Sequence, residues 1–387
     1  MADGMECDLA IAGGGLAGGL LALALATRRP DLDVVLVEAG EHIGGSRIWS
    51  FFESDVEPGH RWLVDPLVTA SWPGYILAFP TLRRAVRMPC HAILSERLDA
   101  ALRARMPPSH ILCGRKALAV GRTGITLEDG SRIEAKAVID ARGPATLALL
   151  DTGWRKYLGQ VVRTARPHGL DRPVLIDATV RQIDGFRFVR LLPLGPDRLL
   201  IEDTYYSDGA NLDRHLIARR IADYAELRGW EIAGIEREET GVLPITMGGD
   251  FERYWQSGGS GVAKAGARAG LFHPTTGDSL ADAVRTAILV AEMAHPATPE
   301  LHPALHEHAR RSWEGRGFYR LLSRLLFRAV PAGRRYRVMQ RFHALPARRL
   351  ARFHAACSTR GDRLRLLAGK PRWPLLRALS LLRERKA

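Results

Sequence analysis

The hydrophobic pattern at the start of the chain predicts a strand, a helix and a second strand in succession. Cys7 to Ala12 and Asp33 to Glu38 are short apolar runs typical of buried strands, and Leu20 to Thr27 has the composition of a buried helix. The segment spans about 30 residues, so it fits a βαβ unit with parallel strands. Further on, Asp129-Gly130 lies between two apolar runs and predicts a hairpin.

The middle of the chain has the alternation of half-buried strands. Apolar and polar residues alternate between about Val161 and Met247, as in FRFVRLLPL and RLLIEDTYY, with one predicted helix from Leu212 to Arg228. This pattern predicts an antiparallel sheet. Leu280 to Ala294 then predicts a long amphipathic helix, and the chain beyond it is helical and basic.

The composition is that of a folded globular protein. The 387 residues are 46% hydrophobic and 25% charged, which argues against disorder and suits two domains with an appendage. The cysteines, Cys7, Cys90, Cys113 and Cys357, lie far apart, so we expect no disulfide framework, no metal site and a reducing cytoplasm. The apolar run Leu9 to Thr27 follows acidic residues and holds five glycines, which opposes a membrane span or a signal sequence.

Positive charge is concentrated at the end of the chain. The net charge is +14, and residues 301–387 hold 22 Lys and Arg against 4 Asp and Glu. Basic amphipathic helices bind anionic membrane surfaces, and a helix packed on the body of the protein is the alternative. The tail has no nucleic-acid recognition motif, so we do not expect it to bind nucleic acid. Two stretches have this pattern, one with arginines at every fourth position beside an apolar stripe and a second that begins at Trp373; the arginines of the first are Arg316, Arg320, Arg324 and Arg328.

A glycine fingerprint predicts dinucleotide binding. Gly13-x-Gly15-x-x-Gly18 follows the first strand and opens the helix, where glycines permit a tight turn and the close approach of a pyrophosphate. Glu38 ends the second strand 20 residues after Gly18, where a carboxylate binds ribose hydroxyls. A purely structural glycine turn is the alternative.

Two further glycine turns are placed to complete a large dinucleotide site. Gly143 lies in a tight turn after a predicted strand, and GARAGLFHPTTGDSL precedes the long helix with Gly266, Pro274 and Gly277. A fingerprint followed by a distant glycine-rich loop resembles FAD-binding oxidoreductases in which a substrate domain interrupts the cofactor domain. Ala267 stands where many such flavoproteins have Asp.

Several segments in a fixed order resemble bacterial lycopene β-cyclases. The resemblance runs from the first strand to about Ala291, with small departures at Ser46, Arg47, Phe52 and Asp278. It implies that linear ends of carotenoids such as lycopene are closed to β-rings, with reduced FAD required, no net redox change, and NAD(P)H as the donor that keeps the flavin reduced. The matching segments are Ile11 to Ala22, Gly44 to Asp55, Leu191 to Tyr206, Gly241 to Asp250 and Gly266 to Leu280.

The segment LIEDT supplies the candidate acid. Protonation of an alkene requires an uncharged acid in a dry site, because water would quench the carbocation. Glu202 matches the acidic motif of the family, and we expect burial beside Leu200 and Ile201 to keep it protonated. Asp203, the next residue, is the alternative acid.

The resemblance also yields candidates to stabilise the carbocation. Aromatic faces attract a cation without attacking it, and the matched segments contain Trp49, Phe51 and Phe272, for which an ordinary core position is the alternative. His273 is a candidate proton acceptor or flavin-positioning residue, and a hydrogen-bonded structural histidine is the alternative.

These observations predict an α/β fold with a Rossmann-like, p-hydroxybenzoate-hydroxylase-like FAD-binding domain. An antiparallel substrate domain interrupts it, and a helical C-terminal region follows. We expect the FAD-binding domain at 1–74, 95–160 and 258–298, a substrate-domain hairpin at 75–94, the antiparallel sheet at 161–257, and basic helices at 299–387. The expected location is the cytoplasmic side of the inner membrane, as a peripheral protein. An FAD- and NADPH-dependent isoprenoid reductase or hydroxylase is the alternative function.

Overall fold

The computed structural model describes residues 5–368. The strands of this part of the chain are β1 (Met5–Ala12), β2 (Val34–Val37), β3 (Ile48–Phe52), β4 (Ala70–Trp72), β5 (Tyr75–Phe79), β6 (Leu82–Val86), β7 (Cys90–Leu94), β8 (Ile111–Leu112), β9 (Ala117–Val120), β10 (Gly124–Leu127), β11 (Arg132–Asp140), β12 (Leu150–Thr164), β13 (Val174–Asp177), β14 (Phe186–Pro193), β15 (Arg198–Ser207), β16 (Ile232–Gly249) and β17 (Ala263–Lys264). The helices are α1 (Leu16–Arg28), α2 (Ser95–Arg103), α3 (Arg214–Leu227), α4 (Phe251–Ser257), α5 (Leu280–Glu292), α6 (Leu301–Gly315), α7 (Gly317–Arg324), α8 (Arg335–His343), α9 (Ala347–His354) and α10 (Arg360–Ala368).

The first sheet forms the core of the N-terminal domain. Its strand order is β8-β2-β1-β11-β10-β9, and β17 pairs with the end of β11. Leu9 of β1 aligns in parallel with Val34 of β2 and with Ala137 of β11, so the predicted βαβ unit is confirmed. The hairpin predicted at Asp129-Gly130 joins β10 to β11 and is also confirmed. Helices α1 and α5 share the apolar core that covers one face of this sheet.

The second sheet has the order β16-β12-β15-β14-β13-β5-β6. Its strands are antiparallel except for the parallel pair β13 and β5. The expected boundary at residue 160 was wrong, because β12 begins at Leu150 and pairs along its length with β15 and β16. The segment 75–94 is likewise divided, since β5 and β6 join this sheet whereas β7 pairs with β3 and β4 in a small third sheet.

Helices α6 to α10 extend along the body of the protein, and the arginine stripe of α7 is turned inward. The expectation that these arginines face a membrane was wrong for three of them. Arg316 pairs with Asp282, Arg320 lies 4.1 Å above the ring of Trp313, and Arg324 donates to the carbonyl of Met247, and all three are buried. A buried guanidinium is tolerated because these partners compensate its lost hydration. The run that begins at Trp373 lies outside the described residues.

The apolar side of α7 is correspondingly the more accessible one. Phe318, Leu321 and Leu322 are half-buried, although the arginines beside them are buried. Within residues 5–368, no helix has both the length and the apolar character needed to cross a membrane.

Candidate active site

The glycine fingerprint forms a turn that is closed on one side and open on the other. A side chain on Gly13 would meet the carbonyl of Ala141 at 2.8 Å, and one on Gly18 would lie 1.9 Å from the carbonyl oxygen of Gly13. Around Gly15, in contrast, no atom lies within 4 Å of the position that a Cβ would take. Gly15 precedes α1, whose first turn has no side-chain cap, so its N–H groups are available to an anion.

Glu38 is held at the end of β2 by the backbone of its neighbours. Its Oε2 accepts from the N–H of Gly14 at 2.6 Å and its Oε1 from the N–H of Gly40 at 2.7 Å. The carboxylate therefore lies beside the glycine turn, as required for a contact with a ribose.

The other predicted cofactor residues lie in two connections, one that follows β11 and one between β17 and α5. Gly143 has φ +86° and open space around it, and a Cβ on Gly266 would lie 2.6 Å from the Cβ of Ala17 at the start of α1. Pro274 accepts from the N–H of Thr246 on β16 at 3.0 Å, and Gly277 lies against Leu243 of the same strand. The loop therefore extends from the glycine turn to the substrate sheet, as a cofactor that bridges both domains requires.

A cavity of about 450 Å³ lies between the substrate sheet, the small third sheet and the C-terminal helices. Helices α8 and α9 cover it. Arg84 of β6 donates to the carbonyls of His343 and Leu345, and Gln340 of α8 donates to Thr81 at 2.6 Å, so the cover is attached to the hairpin β5–β6. Much of the cavity wall is aromatic, with contributions from Phe51, Phe52, Trp72, Tyr75, Phe186, Phe188, Tyr206, Phe342 and Phe353.

Glu202 lies in the middle of β15, fully buried, and its carboxylate is paired with arginine. Arg190 of β14 donates to its Oε2 at 2.5 Å, and Thr204 donates to its Oε1 at 2.6 Å. Arg155 of β12 lies 3.9 Å from the same Oε1. The expected apolar surroundings were therefore wrong, because polar groups of β12, β14 and β15 converge on this carboxyl group.

Asp203 points to the opposite face of the sheet from Glu202. Successive side chains of a strand alternate in direction, and Asp203 is bound by Arg187 at 2.9 Å and by the hydroxyl of Tyr205 at 2.7 Å. Burial raises the pKa of Asp203, and the Arg187 guanidinium opposes that effect. The structure thus separates the two neighbouring carboxyl groups and places Glu202 on the same face of the sheet as its partner Arg190, which lines the cavity.

His273 lines the cavity, but backbone groups engage both of its ring nitrogens. Nε2 lies 3.0 Å from the carbonyl oxygen of Phe353 in α9, and Nδ1 accepts from the N–H of Thr275 at 3.2 Å. Burial, together with the charge of Arg316, lowers the pKa of His273 to about 4. The ring is therefore a neutral link between the loop and the helical cover, and this arrangement favours the structural alternative.

Acid is expected to destabilise this cover. Burial lowers the pKa of His273 to about 4 and that of His343 to about 3, from 6.5 for an ordinary histidine. Between pH 6.5 and these lowered pKa values, the unfolded chain binds more protons than the folded chain. The free energy of unfolding therefore falls as the pH drops below about 6.5. By about pH 4.5 the loss is roughly 2 to 3 kcal/mol for each histidine. Urea unfolding at several pH values measures this loss.

A matched pair of variants assigns the effect to His343. Its Nδ1 lies 2.8 Å from the carbonyl oxygen of Met339, so Asn can replace the donor without titrating. His343→Asn is expected to reduce the acid dependence by the share of His343 while that of His273 stays, whereas His215→Asn, at an exposed position on α3, leaves it unchanged. Equal slopes for wild type and His343→Asn would contradict the prediction.

The predicted aromatic residues separate in the structure. Phe51 lines the cavity and packs on His91 with ring centres 5.1 Å apart. Trp49 packs against the core of the N-terminal domain near Gly44, and Phe272 is buried with its carbonyl bonded to Arg316. Neither belongs to the cavity wall, which is consistent with the core alternative for both.

Sequence reasoning missed the polar groups that meet at Glu202. Arg190 follows Phe186 and Phe188 at alternate positions of β14, so the pattern FRFVR contained a signal for a cationic residue on the aromatic face. Arg155 donates to Asp278 at 2.8 Å, which links the departure at Asp278 to the site. Asp55, which also lines the cavity, has a pKa raised by burial to about 7.

The fold matches solved structures of two enzyme types. A geranylgeranyl bacteriochlorophyll reductase-like protein from Thermoplasma acidophilum is 14% identical with a TM-score of 0.60, covering 98% of this chain and 100% of that chain. A p-nitrophenol 4-monooxygenase from Pseudomonas putida is 14% identical with a TM-score of 0.61, covering 92% and 99%. The predicted fold class is confirmed by these matches.

Sequence comparison identifies the family. A lycopene beta-cyclase of Pantoea ananas is 44% identical over 97% of both chains, and one of a Paracoccus species is 39% identical over 98% of both. The profile of the lycopene cyclase protein family matches residues 8–380. The glycine turn, the interrupted two-sheet fold and the covered cavity therefore belong to a member of the lycopene cyclase family.

Proposed function

We propose that the protein is a lycopene β-cyclase, an isomerase that closes the linear ends of lycopene and related acyclic carotenoids to β-rings. The observation that carries the proposal is a buried carboxyl group, Glu202, whose partner Arg190 lines a covered aromatic cavity, in a chain 44% identical to a lycopene beta-cyclase. The reaction has no net redox change, because one proton is added and one is lost.

The residues around the glycine turn fit FAD. Gly15 leaves open space at an uncapped helix N-terminus, and Glu38 lies beside it to bind a ribose. Bound in its reduced form, FAD would supply negative charge that stabilises a nearby carbocation, and NAD(P)H is the proposed donor that keeps it reduced. Gly266 and Gly277 would hold the part of the cofactor that reaches the substrate sheet.

The protein's own groups provide the acid, the dry site and the cation stabilisation. The terminal double bond takes a proton to give a tertiary cation, the next double bond attacks it to close the ring, and loss of a neighbouring proton sets the ring double bond. Glu202 is the proposed catalytic carboxyl group. Aromatic faces such as those of Phe186 and Phe188 attract the cation, and helices α8 and α9 exclude water.

A redox flavoenzyme acting on an isoprenoid is the second candidate, because the solved structures of similar fold are named reductases and monooxygenases. It predicts stoichiometric NADPH oxidation and a product changed by two hydrogens or one oxygen. Cyclisation predicts neither.

The deciding experiment is anaerobic incubation of the protein with lycopene in liposomes and chemically reduced FAD, followed by chromatography and mass spectrometry. A ring-containing product of unchanged mass supports cyclisation. A product of altered mass, or no product, would overturn it.

The carotenoid reaches the cavity from the inner membrane, on whose cytoplasmic face the protein is proposed to bind. Helix α10 supports this route. Leu364 and Leu367 have exposed fractions of 69% and 38%, whereas their neighbours Arg365 and Leu366 line the cavity. The basic C-terminal region would supply attraction to anionic headgroups.

Replacing the exposed leucines of α10 is expected to weaken membrane binding. The double variant Leu364→Glu/Leu367→Glu adds negative charge and removes apolar contact, so we expect at least a tenfold loss of binding to vesicles of anionic lipid, measured by co-sedimentation. Leu227→Glu is the matched control, because Leu227 on α3 is 86% exposed. Equal losses in both variants would contradict the role of α10.

A further inference from the structure

Glu202 has a second buried glutamate beside it, across one glycine. Gly159 of β12 aligns with Glu202 of β15 on one side and with Glu239 of β16 on the other. A Cβ on Gly159 would lie 3.5 Å from the Cβ of Glu202 and 3.3 Å from the Cγ of Glu239. Because Gly159 has no side chain, the side chains of Glu202 and Glu239 are neighbours above β12.

The two carboxyl groups have unlike surroundings. Glu202 accepts from Arg190 and Thr204, whereas the one donor to Oε2 of Glu239 within residues 5–368 is the backbone N–H of Ile48, at 2.9 Å. The other oxygen of Glu239, Oε1, is buried and has no hydrogen-bond partner among the described residues. A buried oxygen in this situation is that of a protonated carboxyl group more readily than that of a carboxylate.

Charges on the neighbouring elements agree with this assignment. Burial first, and then the charge of Glu202, raise the pKa of Glu239 to about 7, against the opposing effects of Arg190 and Arg47. Tyr157 of β12 also faces this group, and burial followed by the charge of Glu239 raises the pKa of its hydroxyl to about 12, so it stays neutral. Two like charges side by side resist joint ionisation, so such a pair titrates as a unit.

We propose that Glu202 and Glu239 form a carboxyl pair that holds one proton between them, with Glu239 as the resting store and Glu202 as the group that exchanges it with the substrate. This inference rests on the proposed cyclisation. Glu239 is in this sense a positioning residue, because it acts through Glu202.

The proton cycle balances within the pair. Glu239 passes its proton to Glu202 and becomes a carboxylate, and Glu202, which Arg190 holds in place at Oε2, passes it to the terminal carbon–carbon double bond. After ring closure, the carboxylate of Glu202 takes the proton that leaves the cation and returns it to Glu239. No proton, electron or co-reactant is consumed.

The first test is the pH dependence of ring formation. Wild-type activity is expected to fall above about pH 7 as the pair loses its proton. Glu239→Gln stores no proton, so we expect roughly a 100-fold loss at neutral pH and a fall that begins at lower pH, with activity recovered in acid. Glu239→Asp retains a carboxyl group, so its activity is expected to fall above about the same pH as that of the wild type. A loss of activity without a change in its pH dependence would mean that Glu239 has only a structural role.

The second test needs no turnover. Infrared difference spectra of the FAD-loaded protein at pH 6 and pH 9 should show a protonated carboxyl band of Asp55, assigned with Asp55→Asn, and a second band that disappears in Glu239→Gln. In Glu202→Gln the second band should titrate at lower pH, because the like charge is gone. If no band disappears in Glu239→Gln, or if the second band does not shift in Glu202→Gln, the pair is overturned.

A control variant and two independent tests distinguish failure of the carboxyl pair from failure of the proposed function. Glu238→Gln alters the adjacent glutamate, which contacts Gln160 and Arg214, and should change neither profile nor spectrum. A wild-type protein that shows the coupled band but forms no rings would refute the proposed function alone. Rings formed without the coupled band would refute the pair alone.

Discussion

Glu202→Gln is expected to lower ring formation by roughly 1,000-fold, within the range that a general acid or base contributes. Glutamine keeps the size of the side chain, and its amide oxygen can accept from Arg190 while its NH2 group donates to the Thr204 hydroxyl, but it can neither give nor take the proton. The measurement is product formation from lycopene with chemically reduced FAD, together with FAD content and circular dichroism.

A matched control separates this loss from a general effect of removing a carboxylate. Glu226→Gln removes one from an exposed position on α3 and should retain full activity. Removal of the charge of Glu202 leaves Arg155 and Arg190 with less compensation, so the stability of the variant must be measured. If a folded, FAD-loaded Glu202→Gln protein forms rings at the wild-type rate, Glu202 is not the catalytic carboxyl group, and Asp55 in the cavity wall becomes the next to replace.

Gly15→Val is expected to abolish stable FAD binding while leaving the apoprotein intact. Nothing lies within 4 Å of a Cβ at this position, and the backbone has an ordinary φ of −66°, so the folded chain accommodates the side chain. The isopropyl group would occupy the space in front of the uncapped helix, where the pyrophosphate is proposed to bind. We expect affinity for FAD to fall by more than about 100-fold, or roughly 3 kcal/mol, in fluorescence titrations.

Two further glycine variants serve as controls for the loss of FAD binding. Gly209→Val, in the loop after β15, also meets open space and should bind FAD normally. Gly18→Val should instead lower the melting temperature, because its Cβ would collide with the carbonyl of Gly13. Normal FAD binding by Gly15→Val would mean that the cofactor does not approach this turn.

The N-terminal domain could be predicted from sequence because its signals are local. The glycine turn follows from three residues and their spacing, and the parallel strands on either side follow from short apolar runs. The position of Asp203 was also within reach, since alternation along LIEDT separates it from Glu202. The surroundings of Glu202 were not, because Arg155 and Arg190 reach it from other strands whose register no local pattern reveals.

Helix α7 shows a second limit of sequence reasoning. Its pattern correctly separates an arginine face from an apolar face, but periodicity does not indicate which face packs inward. The answer depends on partners distant in sequence, Asp282 for Arg316 and the carbonyl of Met247 for Arg324. Arginine faces inward here because those partners are present.

The attachment of the cavity cover has a consequence for biosynthesis. The cover is formed by α8 and α9, which leave the ribosome after both large sheets, and its anchors are carbonyls that accept from Arg84, more than 200 residues earlier. A nascent chain therefore presents the aromatic wall to solvent until residues 335–354 have been translated, at a stage when exposed apolar surface promotes aggregation. Ribosome-stalled chains that end before α8 should bind general chaperones, and chains extended past α9 should be released from them.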